Sequence, residues 1–230
     1  MRRILVLQHS PGGFLGSLQP PLRDAGFALH TWKTFEEPAP PLHAGEIDAL
    51  IGLGGVMHPD EDVAHPWLPE VRALYQQSVR RGVPVLGVCL GMQLMAQALG
   101  GSAGPLGRLR VGFLPVEFQA GDDPLFGDLP ASFDVHATHL QSVLTLPEDA
   151  TVLATSDKDD CQAFRWRKHV WGVQFHPEFS TVHMREYIHV RRMALLREGA
   201  NPQAMRKAVG AAPHARQVLK RFVHQARKRG

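Results

Sequence analysis

Pro84-Val-Leu-Gly-Val-Cys-Leu-Gly-Met-Gln93 sets the architecture. Val83–Val88 is wholly apolar, as a strand buried on both faces must be. A helix over Leu90–Leu99 follows at once, closed by Gly100-Gly101. Between them stands Cys89, with Gly87 two residues before and Gly91 two residues after. This is the Gly-x-Ser-x-Gly spacing of a nucleophile elbow, with Cys in place of Ser. Small neighbours let the chain pack closely round a sharp turn. The turn puts the sulfur at a helix N-terminus, where the dipole and free N–H groups favour thiolate. The N–H of Leu90 is then placed to face an oxyanion. A second donor is expected from the Gly54-Gly55 turn that ends a neighbouring strand, and the N–H of Gly55 is the choice.

The same rhythm runs outward on the N-terminal side. Strands are expected at Arg3–Leu7, Phe27–Trp32 and Asp48–Leu53. A helix is expected within Leu15–Ala25, its start delayed by Pro20 and Pro21. Residues 36–45 are proline-rich and read as a loop. Leu68, Val71, Leu74, Tyr75 and Val79 make Trp67–Arg81 an amphipathic helix, closed by Gly82. Alternating strands and helices predict an α/β, doubly wound, mostly parallel sheet covered on both faces.

Beyond residue 105 the rhythm changes. Phe113–Phe118, Phe133–Thr138, Thr151–Ala154, Cys161–Trp166 and Val170–Phe175 read as strands joined by turns, some antiparallel, and residues 181–198 as one helix. The β-rich part is an insertion between the nucleophile and its base. No repeat or linker interrupts the chain, and 230 residues suit a single domain, 1–230.

The base comes from Val170-Trp-Gly-Val-Gln-Phe-His-Pro-Glu178. A second apolar strand delivers His176 near its C-terminal end, as Val88 delivers Cys89. In a parallel sheet both ends share one edge, where α/β sites form. Pro177 biases His176 toward extended geometry, so that Glu178 points the same way. His176 would accept the thiol proton, and Glu178 would orient the imidazole and stabilise its cation.

Gly87-Val-Cys-Leu-Gly-Met-Gln93 and Gln174-Phe-His-Pro-Glu178 resemble the two signatures of class I glutamine amidotransferases, and Gly54-Gly55 resembles their oxyanion-hole loop. The likeness spans roughly residues 3–200. It implies a flavodoxin-like sheet, a Cys89–His176–Glu178 triad and a γ-glutamyl thioester at Cys89 that releases ammonia and then glutamate. It also implies substrate contacts from Gln93 and Gly54. The architecture resembles the guanylate-synthetase-like branch. That branch commonly has Arg-Glu where this chain has Leu109-Arg110, and His-Gly-Asp where it has His139-Leu140-Gln141. It carries an ATP-pyrophosphatase domain downstream. No P-loop pattern occurs here, so a synthetase-type acceptor would be a separate subunit.

Composition narrows the partners. Lys and Arg number 25 against 22 Asp and Glu. Eight of the bases fall between Arg206 and Arg229 with no acid after Glu198, which leaves the body about −5. Val218, Leu219, Phe222, Val223 and Ala226 recur at helical spacing. The tail is therefore expected to be a basic amphipathic helix near 214–228 packed on the domain, rather than a nucleic-acid or membrane arm. Cys89 and Cys161 form no Cys-x-x-Cys pair. The apolar run Ile4–Leu7 after Met1 is too short for a signal peptide, so a cytoplasmic protein is expected. His136 and His139 lie in a strand-to-loop stretch that lacks a ligand set. Asp157, Asp159 and Asp160 read as a solvated turn. Neither metal nor cofactor is expected.

Three functions compete. The first is a glutamine amide hydrolase, alone or as an amidotransferase subunit. The second is a γ-glutamyl peptide hydrolase, and the third a non-catalytic regulatory or binding module on the same fold.

Overall fold

The computed structural model describes residues 2–228. Met1, Arg229 and Gly230, the outermost residues of the single-domain reading and of the basic tail, lie outside the described residues. One nine-stranded sheet organises the chain in the order β2-β1-β3-β4-β9-β8-β7-β5-β6. Its first half is parallel: β1 (Arg2–Gln8), β2 (Phe27–Lys33), β3 (Ala49–Gly52), β4 (Val85–Val88) and β9 (Val170–Val173). Its second half is antiparallel: β5 (Ser102–Phe118), β6 (Ser132–Thr145), β7 (Ala150–Ser156) and β8 (Asp159–Trp166). This is the flavodoxin-like architecture with its β-rich insertion.

Period-2 alternation sorts β1 between two cores. Ile4 and Val6 join one core with α1 (Gln19–Asp24) and α7 (Pro213–Arg227). Leu5 and Leu7 join the other with α2 (Leu68–Arg80) and α3 (Leu90–Ala98). Pro20 and Pro21 begin α1 rather than break it, because the first helical turn needs no N–H donors. On α7, Ala215, Val218, Leu219, Phe222, Val223 and Ala226 are all buried. Phe222 meets Trp171 of β9 edge-on, ring centres 6.3 Å apart.

A row of glycines lowers α3 onto the sheet. Gly52, Gly87 and Gly172 stand in register across β3, β4 and β9. Gly91 crosses above so closely that a Cβ on it would lie 2.3 Å from the carbonyl oxygen of Gly52. A side chain in that row would lift the helix and the cysteine ahead of it.

Several boundaries differ from the sequence reading. β5 starts at Ser102, well before Phe113, because a break in register between Pro105 and Arg110 lets the strand run on through Gly107. β6 runs on through His139 to Thr145, so both histidines belong to a strand and not to its exit. Asp159 is buried in β8, not solvated. Residues 181–198 form two helices, α4 (Thr181–Val190) and α5 (Arg192–Arg197), hinged at Arg191. A further helix, α6 (Pro202–Ala208), starts at Asn201, whose side chain caps the N–H of Ala204.

Candidate active site

Cys89 leaves β4 with φ 51° and ψ −110°, a left-handed conformation that a residue with a Cβ adopts only under constraint. Such strain costs about 1–3 kcal/mol and persists where the surroundings over-determine it. Here the Cys89 N–H is tied to the carbonyl of Val173, 2.8 Å away on β9, and the Gln93 N–H bonds back to Cys89 O at 3.1 Å. The sulfur sits at the head of α3 and contacts the carbonyl of Thr138 at 3.9 Å. The bond from Cys89 to Val173 couples the exits of β4 and β9, and three residues after Val173 comes His176.

The His176 N–H bonds the carbonyl of His136 at 2.7 Å, and its Nδ1 lies 2.7 Å from Glu178 Oε1. The chain does not stay extended between the two, as the sequence reading assumed. Pro177 and Glu178 form a turn closed by Phe179 N–H on His176 O at 3.3 Å. A clamp holds the turn: Ser17 bonds Glu178 O with its N–H at 3.1 Å and Pro177 O with its hydroxyl at 3.0 Å. Phe179 stacks on the imidazole at 4.2 Å and 17°. His176 Nε2 is buried, and His176 and Cys89 line the same cleft, close enough for the sulfur to act on the ring. Burial pulls the His176 pKa down, but the negative charges of Glu178 and of an ionised Cys89 outweigh it and hold the imidazole well above its usual value. At Cys161, burial, then Asp159 and Asp160, push the thiol up to about 12.

The cleft has two lobes round Cys89. One is lined by Ser10, Phe14, Gly54, Gly55, His176 and Tyr187, among others. The other is lined by His58, Leu90, Gln93, His139, Leu140 and Gln141, among others. Gly54 lies against His176, where a Cβ would stand 2.8 Å from Cε1. Gln93 is buried, not a helix-surface residue, and its amide donates to Gln141 O at 2.8 Å and Gln174 Oε1 at 3.0 Å. All seven sequence-selected residues thus meet at one edge of the sheet.

Behind the second lobe lies a polar network that sequence reading missed. Asp159 accepts from His139 Nε2 at 3.1 Å, Ser142 Oγ at 2.7 Å and Cys161 N at 3.2 Å, and also from Gln162. Burial lowers the His139 pKa despite Asp159 and keeps the ring neutral at pH 7. His136 donates its Nε2–H to Gly210 O at 3.0 Å. Both residues are committed to these bonds, and among the described residues no group of three or more His, Cys, Asp or Glu could hold a metal. No described helix is long and apolar enough to cross a membrane.

A cysteine at a strand-to-helix turn shares one cleft with a histidine–carboxylate pair on a doubly wound sheet. The chain belongs to the class-I glutamine amidotransferase family, whose pattern it matches over residues 13–192. It is 40% identical over 180 residues to a glutamine-hydrolysing GMP synthase of Vibrio vulnificus, covering 78% of this chain and 33% of the relative. It is 39% identical over 129 residues to that of Thermomicrobium roseum, covering 56% of this chain and 22% of the relative. The chain therefore spans a third or less of these relatives. A solved glutamine amidotransferase of Thermotoga maritima superposes with TM-score 0.80 at 26% identity, over 99% of this chain and 97% of that one. A glutamine amidotransferase of Methylobacillus flagellatus shares the fold, with TM-score 0.81 at 21% identity over 97% and 95% of the two chains.

Proposed function

We propose that this chain hydrolyses a γ-glutamyl amide by covalent catalysis at Cys89, with glutamine as the simplest substrate. The observation that carries the reading is the strained Cys89 at the head of α3 in one cleft with the buried His176–Glu178 pair. The sulfur bonds the amide carbon as the C–N bond breaks. The proton held on His176 Nε2 goes to the leaving nitrogen, and ammonia departs. Water then gives a proton to His176 and its hydroxyl to the acyl carbon, which frees glutamate and restores Cys89. Glu178 fixes the ring and offsets its positive charge. The N–H groups of Leu90 and Gly55 are assigned the oxyanion, and Gly54 and Gln93 the contacts that hold the substrate.

Ammonia would pass to a synthetase-type acceptor, a role supported by the GMP synthase relatives. Gln141, in place of a family carboxylate, lines the second lobe, and no carboxylate lines that lobe among the described residues. The α-ammonium of free glutamine thus finds no carboxylate there, so its turnover by the isolated chain should be slow. Two free, buried cysteines suit a reducing compartment, and the proposal places the protein in the cytoplasm.

The test incubates the purified chain with diazo-oxo-norleucine and separately with glutamine, with and without cell-extract fractions. One label per chain at Cys89, none at Cys161, and glutamate release abolished by Cys89→Ala are expected. Labelling of Cys161 with Cys89 untouched, or turnover surviving in Cys89→Ala, overturns the reading. Fast glutamine hydrolysis without extract would refute the expected slowness and leave a self-sufficient glutaminase.

A further inference from the structure

The leaving-group side of the cleft holds a cation that ammonia release does not use. Arg191, at the joint between α4 and α5, lines both lobes round Cys89 and the open trough beyond them. Its guanidinium makes no hydrogen bond or ion pair among the described residues, although its charge is felt by Tyr187. The other charges of the first lobe are engaged with one another: Glu178 pairs with His176, and an ionised Cys89 acts on the same imidazole. A guanidinium with no partner among the described residues, on the wall of a cleft, is a fork for an anion.

Chemistry decides which part of a substrate reaches it. His176 protonates the departing nitrogen, so the amine leaves on the His176 side, toward Phe14, Tyr187 and Arg191. That lobe opens onto a trough lined by Val56, His183, Glu186, Tyr187, Val190 and Arg191, with Val56 71% and Val190 68% exposed. Ammonia needs neither the room nor the charge. An amine with a short chain and a carboxylate would lay the chain against this apolar wall and the carboxylate on Arg191. Glu186 lines only the outer trough and repels an anion that strays past Arg191.

We infer that Arg191 selects γ-glutamyl amides whose leaving amine is itself an amino acid, by pairing with that amine's carboxylate. The inference rests on the Cys89 chemistry proposed above. The bond broken is the same γ-amide C–N bond, and the amino acid departs in place of ammonia with the proton from His176.

The experiment compares kcat/KM for γ-L-glutamylglycine with that for γ-L-glutamylglycinamide, its neutral isostere, by quantifying released glycine or glycinamide. The wild type should prefer the acid by about tenfold or more, as expected for one charge-assisted bidentate contact. High salt should shrink the preference, a readout that needs no variant. Arg191→Met should bring the ratio to about one, and Arg191→Lys should keep part of it. A wild-type ratio near one, or a ratio unchanged in Arg191→Met, overturns the inference. So does a wild type that hydrolyses neither compound. Glutamine hydrolysis in parallel, with Cys89→Ala as control, shows whether the Cys89 reading falls too: turnover of glutamine through Cys89 without any preference for the acid sinks only the role of Arg191.

Discussion

His176 Nδ1 and Glu178 Oε1 are 2.7 Å apart across a turn that Ser17, from the far end of the chain, holds shut. The two side chains are separated by one proline in sequence, yet their alignment depends on the clamp and on Phe179 stacked against the ring. The imidazole is oriented from two sides, and its Nε2 has one place left to act.

That arrangement assigns unequal weights to the pair. His176→Ala should lose roughly a thousandfold or more in kcat, since both proton transfers go with it. Glu178→Gln should lose about ten- to a hundredfold, because the ring keeps Phe179 and its backbone tether but loses the charge that raises its pKa. The pH profile of Glu178→Gln should shift with the lowered His176 pKa. Steady-state rates from pH 5 to 10 check both, and equal, full activity in the two variants would displace them from the site.

Gly54 offers a test that leaves every reactive group in place. A Cβ there would stand 2.8 Å from His176 Cε1 and 3.5 Å from the Cys89 Cβ. Gly54→Ala should push the imidazole by a few tenths of an ångström and cut kcat about tenfold or more, since catalysis is sensitive to such misplacement. Thermal unfolding should shift little. Unchanged kcat would show that Gly54 does not set the ring's position.

Acid should expose His9. It is fully buried at the end of β1, and burial alone takes its pKa down to about 4. The folded value lies below the unfolded value of 6.5, so the stabilising effect is complete above pH 6.5 and is lost as pH falls toward 4. By pH 5 the loss is roughly 2 kcal/mol. Urea midpoints at pH 7 and pH 5 should show it, and His9→Gln should flatten the difference. A wild type equally stable at both values would contradict the assignment.

The C-terminal helix should behave as core. Phe222 is fully buried against Trp171, so Phe222→Ala should cost about 3 kcal/mol or more by denaturant unfolding. Deleting residues 212–230 should lower the melting temperature and leave duplex-DNA affinity as weak as before. Tight binding with a steep salt slope that the deletion abolishes would make the helix a nucleic-acid element.

The amino-acid sequence determined the parallel core and the position of Cys89 at the turn that leaves β4. Apolar runs such as Val83–Val88 admit little else, and the glycines at 87 and 91 mark a turn whose geometry is local. The ends of β4 and β9 follow, since parallel strands place their exits on one edge. Tertiary structure alone decided the rest. Asp159 reads as solvated because its neighbours in sequence are acidic, but its partners His139 and Ser142 lie 20 and 17 residues away on β6. Arg191 reads as mid-helix because no proline or glycine marks the hinge there, and only the packing of α4 and α5 turns it toward the cleft. Local pattern encodes backbone and burial. Which distant strand supplies a hydrogen bond, and which cation overhangs a cleft, depends on how the whole sheet closes on itself.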